Sequence, residues 1–116
     1  MTITKKNLFA AIPDKLKDEL IETILQASNF RIERIVSQGH YSKEGFWYDQ
    51  SENELVILLK GRATLRFENQ PQVIKMNPGD YLHIGKHVLH RVESTDKKQE
   101  TIWLAVHYNE SQISEA

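Results

Sequence analysis

The chain has no cysteine among its 116 residues. That absence removes disulfides, thiolate metal sites, iron–sulfur clusters and cysteine nucleophiles together. It leaves the redox compartment undetermined but suits a cytosol. Excess charge of either sign is also missing: 15 Lys and Arg stand against 16 Asp and Glu, a formal net charge of −1. So even a balance gives no bulk attraction to nucleic acid or to an acidic membrane. Long apolar runs are absent too. The longest, Leu55 to Leu59, is far short of a membrane span. The opening MTITKKNLFAAIP has a basic pair but no apolar stretch of signal-peptide length. The expectation is therefore a soluble cytoplasmic protein with no membrane and no nucleic-acid partner. Gly61, Gly79 and Gly85 are isolated, so there is no glycine-rich phosphate loop, and no serine sits in a nucleophile motif.

What remains is an ordinary globular composition, 40% hydrophobic and 27% charged. A chain of this size buries roughly two thirds of its unfolded surface, enough for one core. Residues 1–116 read as a single domain. The stretch 13–27, PDKLKDELIETILQA, places Leu16, Leu20, Ile21, Ile24 and Leu25 at helical spacing, with Pro13 and Asp14 suited to a first turn. It predicts an N-terminal α-helix that covers the rest of the fold or a partner. From about 30 to 108, short β-prone runs alternate with turns: 30–36, 45–48, 54–59, 62–67, 72–75, 81–84, 90–93 and 101–108. In 62–67, Ala63, Leu65 and Phe67 alternate with Arg62, Thr64 and Arg66. Many short strands at regular spacing argue for a sandwich or small barrel.

Two stretches carry a family resemblance. Glu54 stands seven positions before Gly61, and Pro78-Gly79-Asp80 is followed by Tyr81-Leu82-His83-Ile84 and then His90-Arg91-Val92. In this order they resemble the two motifs of the cupin family. The whole chain, with WYDQ and WLAVHY, is similar to small bacterial single-domain cupins. The resemblance implies an all-β double-stranded β-helix, a jelly-roll barrel over about 30–108, with a pocket between its sheets. It implies a homodimer as well, since such relatives pair through an edge strand or an N-terminal segment; Asn7 to Phe9 or Phe30 to Val36 are the candidates.

The first motif departs from the family's pattern. The usual pair of histidines before the glutamate is replaced by Tyr48 and Gln50 in one register, or by Trp47 and Asp49 in the other. Only Glu54 and His90 carry over. His87 stands where the family's loop often has a glycine, three residues before the ligand histidine.

Imidazole nitrogen and carboxylate oxygen bind zinc, nickel, iron or manganese. The candidate metal set is therefore Glu54, His87 and His90, with Gln50 or Asp49 as a further, weaker oxygen donor. His87 joins only if the loop begun by Gly85 turns back. The alternative is that Glu54 and His90 bond each other or water in a polar pocket without metal. His83, between Leu82 and Ile84, is expected to point outward. Tyr48, Asp49, Trp103 and His107 are the expected pocket-lining residues, and the face of the last strand that meets the pocket stays open. Three functions compete on this reading: a divalent-metal-dependent enzyme acting on a small molecule, a non-catalytic module that binds or senses a small ligand, and a structural subunit.

Overall fold

A computed structural model describes residues 1–110, 114 and 115. Eight strands run in the order β1 (Leu20–Gln26), β2 (Phe30–Ser37), β3 (Asn53–Lys60), β4 (Ala63–Phe67), β5 (Ile74–Met76), β6 (Tyr81–Ile84), β7 (His90–Thr95) and β8 (Thr101–Tyr108). They form a five-stranded sheet, β1-β2-β8-β3-β6, and a three-stranded sheet, β5-β4-β7, both antiparallel. The result is the all-β double-stranded β-helix expected from the sequence. No helix is long and apolar enough to cross a membrane among the described residues.

The expected helix over 13–27 is not formed. Residues 13–19 are irregular chain with bends, and Leu20–Gln26 is strand β1, paired to β2 from Leu20↔Val36 to Gln26↔Arg31. The segment holds Ile21, Thr23 and Ile24, whose branched side chains suit a strand as well as a helix. An available neighbour strand then outweighs a weak helix preference. Ile24 is the extra residue of a bulge between Thr23 and Leu25. Ile21, Ile24 and Leu25 stay exposed, at 58%, 49% and 54%, so the apolar stripe does not cover the barrel. Phe30–Val36 is not an edge either: β2 lies between β1 and β8, and β1 takes the edge. The strand expected at 45–48 shrinks to one bridge, Tyr48↔His90.

The core lies between the sheets. Val56, Leu58, Ile84 and Trp103 from the large sheet pack against Ala63, Leu65, Phe67 and Met76 from the small one. In β4 the buried and half-buried residues alternate as the sequence predicts. Two glycines fix turns of the barrel: Gly61 the β3–β4 turn against the start of β8, and Gly79 the turn into β6 against β3. Gly61 has φ +83°, and a Cβ there would fall 2.4 Å from Thr101 Oγ1 and 2.8 Å from Glu100 O. Gly79, at φ +94°, sits in the Asn77–Asp80 turn, and its N–H donates to Leu58 O at 2.8 Å.

Candidate acid–base pocket

In a strand, side chains alternate between faces, so the inner face of the large sheet is set by register. Pairing aligns Arg31 with His107, His107 with Glu54, and Glu54 with Ile84 in one row across β2, β8, β3 and β6. The next inward rows carry Glu33 and Ala105, then Ile35 and Trp103. These rows wall a cavity of about 300 Å³, closed on the other side by Leu65, His90 and Val92 of the small sheet. Glu19 and Ile21 complete the wall at the β1 end, and Tyr48 and Gln50 complete it from the loop before β3.

The loop register is thereby fixed. Tyr48 and Gln50 face the cavity, as does Glu54, while Asp49 is exposed. Backbone bonds pin this arrangement: Tyr48 N–H donates to His90 O at 2.7 Å, and His87 N–H donates to Gln50 O at 2.7 Å. The His90 ring lies near-parallel to Tyr48 and to Phe67, with centroids 5.3 and 5.8 Å away. Those rings flank it because Tyr48 and Phe67 are its two cross-strand partners.

The three histidines of HIGKHVLH go to three places. His90 is inside. His87 is outside: its backbone takes φ +62°, its side chain is 65% exposed, and Nδ1 lies 2.8 Å from Asp49 Oδ1. That left-handed backbone turns its side chain away from the cavity, so it does not join Glu54 and His90. His83 is on the opposite sheet face from Ile84, with Nε2 2.5 Å from the Tyr108 hydroxyl. His107 is inside and 4% exposed, which places that face of β8 against the cavity together with Trp103. The Trp103 indole N–H donates to Ser37 Oγ at 3.3 Å, which holds its ring. Arg31, Glu33 and Glu19 are site residues that sequence reasoning missed. FRIERIV has charged and apolar residues on both alternating faces, so its pattern names no inward side.

The chemistry centres on Glu54, which is 7% exposed. Its carboxyl makes no hydrogen bond among the described residues; His90 Nε2 stands 3.9 Å from Oε1 and His107 Nε2 4.0 Å from Oε2. Burial, then the charge of Glu33, pushes its pKa up to about 7, against the pull of Arg31. Burial lowers the pKa of His90, with its bond to Val88 acting in the other direction. Burial and then Arg31 lower that of His107. Both rings are therefore neutral near pH 7, and their partners assign the tautomers. His90 Nδ1–H donates to Val88 O at 2.9 Å, leaving Nε2 as a lone pair beside Glu54. His107 Nε2–H donates to Glu33 Oε1 at 3.0 Å, and among the described residues its Nδ1 is buried without a partner, as is Gln50 Oε1.

This donor set does not fit a resident divalent metal. With His87 outside, one imidazole nitrogen, one carboxylate and an amide oxygen remain, and His107 has its Nε2 committed to Glu33 beside the other oxygen of Glu54. No three His, Asp or Glu side chains gather into a metal group among the described residues. Catalytic zinc sites use three firm protein ligands. What the arrangement does supply is a carboxyl that exchanges a proton near neutrality, beside a neutral imidazole acceptor.

Comparison with known proteins agrees with this architecture. The family model for the cupin domain matches residues 35–107. A Ralstonia eutropha JMP134 structure, provisionally called a mannose-6-phosphate isomerase, is 40% identical with a TM-score of 0.89, covering 92% of this chain and 99% of that one. A cupin superfamily protein from Desulfitobacterium hafniense DCB-2 is 19% identical with a TM-score of 0.68, over 85% and 84% of the two chains. An RmlC-like cupin with a double-stranded β-helix from Methanocaldococcus jannaschii is 17% identical with a TM-score of 0.64, over 84% and 86%. The last two share the fold alone. A search of curated protein sequences finds no match.

Proposed function

The chain belongs to the cupin family, and from that membership we propose that it binds a small molecule between its sheets and moves a proton on it through Glu54. The observation that carries this reading is the Glu54 carboxyl itself: buried, free of hydrogen bonds among the described residues, and with its pKa pushed by burial up to about 7. A general acid–base group works best when its pKa lies near the operating pH. A buried carboxyl left without a partner also costs stability, and such costs cluster at functional sites. The cavity has the usual make-up of a small-molecule site, apolar walls of Ile35, Val56, Leu65 and Trp103 with a few converging polar groups.

In this reading the ionised Glu54 takes a proton from the ligand and returns it elsewhere. The Nε2 lone pair of His90 accepts a hydrogen bond from the ligand and orients it. Tyr48 and Phe67 hold the imidazole in plane. The isomerase in the name of the Ralstonia protein is a class of enzyme that can work by such proton transfer. The reading runs without a resident metal. Incubation of metabolite panels in heavy water tests it: deuterium enters a compound with the wild-type chain and does not with Glu54→Gln. A compound that binds in the pocket without any exchange would leave the non-catalytic binding module instead.

A homodimer through β1 belongs to the same proposal. The support is an edge strand whose Ile21, Ile24 and Leu25 are about half exposed, a surface that proteins in general cover. Light scattering with Ile24→Asp tests it: the expected result is a dimer that becomes a monomer.

A further inference from the structure

The Ralstonia protein is provisionally named for a phosphorylated sugar, but the polar groups of this pocket suit the opposite charge. Glu19, Glu33 and Glu54 bring three carboxyl groups to the wall, against the guanidinium of Arg31. That guanidinium is already engaged. Its Nε donates to Glu33 Oε2 at 3.1 Å, and its Nη1 donates to Glu52 Oε1 and Oε2 at 3.0 and 3.2 Å. A phosphate entering here meets carboxylates and finds the arginine already shared between Glu33 and Glu52.

Hydrogen-bond polarity agrees with charge. His90 gives its ring proton to Val88 O, and His107 gives its own to Glu33. Glu54, 93% removed from solvent by its 7% exposure, has no hydrogen bond among the described residues. At Glu54, His90 and His107 the uncommitted capacity is therefore acceptor capacity, while Tyr48 and Gln50 bring a hydroxyl and an amide donor to the same wall. Glu54 Oε1 and His90 Nε2 are 3.9 Å apart, a separation that one donor atom spans at ordinary hydrogen-bond lengths. The rings of Tyr48 and Trp103 line the same space, and aromatic faces attract cations. Phosphate and carboxylate ligands bring more negative charge and more acceptors, so they meet neither need.

We propose that the pocket takes a small organic cation, a protonated amine whose N–H groups meet Glu54 and His90 while its apolar part lies against Trp103 and Ile35. This rests on the reading of the cavity as a ligand site given above.

The test is a titration of the full chain, in chelator-treated buffer at about pH 8, where both Glu54 and a simple amine are charged. The probes are cyclohexylamine, cyclohexanol, cyclohexanecarboxylate and mannose 6-phosphate, and the assigned indole N–H resonance of Trp103 is followed by NMR. The amine is expected to saturate the shift at a concentration about tenfold below the alcohol, a difference of about 1.4 kcal/mol. Neither anion is expected to move the signal. Glu54→Gln is expected to weaken the amine more than the alcohol. Saturation by either anion at or below the amine's concentration overturns the proposal, and so does equal binding of amine and alcohol. If no probe moves Trp103, the ligand-pocket reading falls with it, so the two failures are told apart.

Discussion

Glu54→Gln is expected to stabilise the protein at neutral pH, by an amount that depends on pH in a definite direction. In the unfolded chain this carboxyl titrates near 4.5, and in the folded chain its pKa is raised to about 7. Between those values the folded chain holds a proton that the unfolded chain has released. Stability then falls as pH rises, because the native state binds more protons than the unfolded state. Each pH unit corresponds to about 1.4 kcal/mol, so the interval from 4.5 to 7 removes about 3 kcal/mol. Below 4.5 both states are protonated and the loss is absent; above 7 both are ionised and the loss is complete. Glutamine has nearly the same shape and no charge, so it escapes this loss. Wild type and Glu54→Gln should be unfolded with urea at several pH values from 5 to 8, with tryptophan fluorescence as the readout. Because about 0.6 of a pH unit's worth is already lost at pH 5, the stability of the variant relative to wild type should climb by about 2.5 kcal/mol from pH 5 to 8. The lowered pKa values of His90 and His107 act with the opposite sign, since their stabilising effect is lost as pH falls through the unfolded value of 6.5. Burial is the first cause in both, and Glu54 is not among the causes, so their effect largely cancels in the difference. A flat difference would show that Glu54 titrates as an ordinary surface carboxyl, and the acid–base reading would fall with it.

Glu33→Gln removes the second cause of the raised Glu54 pKa, so the carboxyl-carbon NMR titration midpoint of Glu54 should move down; no movement would place the cause in burial alone. Gly61→Ala forces a Cβ into Thr101 Oγ1 and the Glu100 carbonyl at positive φ, and should cost about 3 kcal/mol in urea unfolding. Untagged protein should carry well under one equivalent of zinc, nickel, iron or manganese by elemental analysis, with His90→Ala making no difference. A full equivalent lost on that substitution would refute the argument from the donor set.

The strand plan was legible because it depends on local signals. Turn residues such as Asn77-Pro78-Gly79-Asp80 and the alternation of Ala63, Leu65 and Phe67 mark strand ends and faces without reference to the rest of the chain. The helix expected over 13–27 fails for the same reason in reverse. Its apolar spacing is compatible with a helix in isolation, and only the availability of β2 as a partner, set by a distant part of the chain, makes it a strand. Of the site, Glu54 and His90 follow from motif spacing, Tyr48 and Gln50 from counting back to the family's histidine positions, and Trp103 and His107 from alternation along the last strand, whose inward face the sequence leaves open.

Residue order alone carries the β-strand plan over about 30–108 and the loss of the family's histidine pair before Glu54, but not strand β1, which it reads as helix. What only the tertiary structure decided is which side chains meet. The left-handed backbone of His87 sends its imidazole to Asp49 outside, and the register of β2, β8 and β3 sets Arg31, His107 and Glu54 in one row. Arg31 and Glu54 are far apart in the chain, and strand pairing alone puts them in line. Burial then raises the Glu54 pKa, a property of the surrounding wall that no neighbour in sequence supplies.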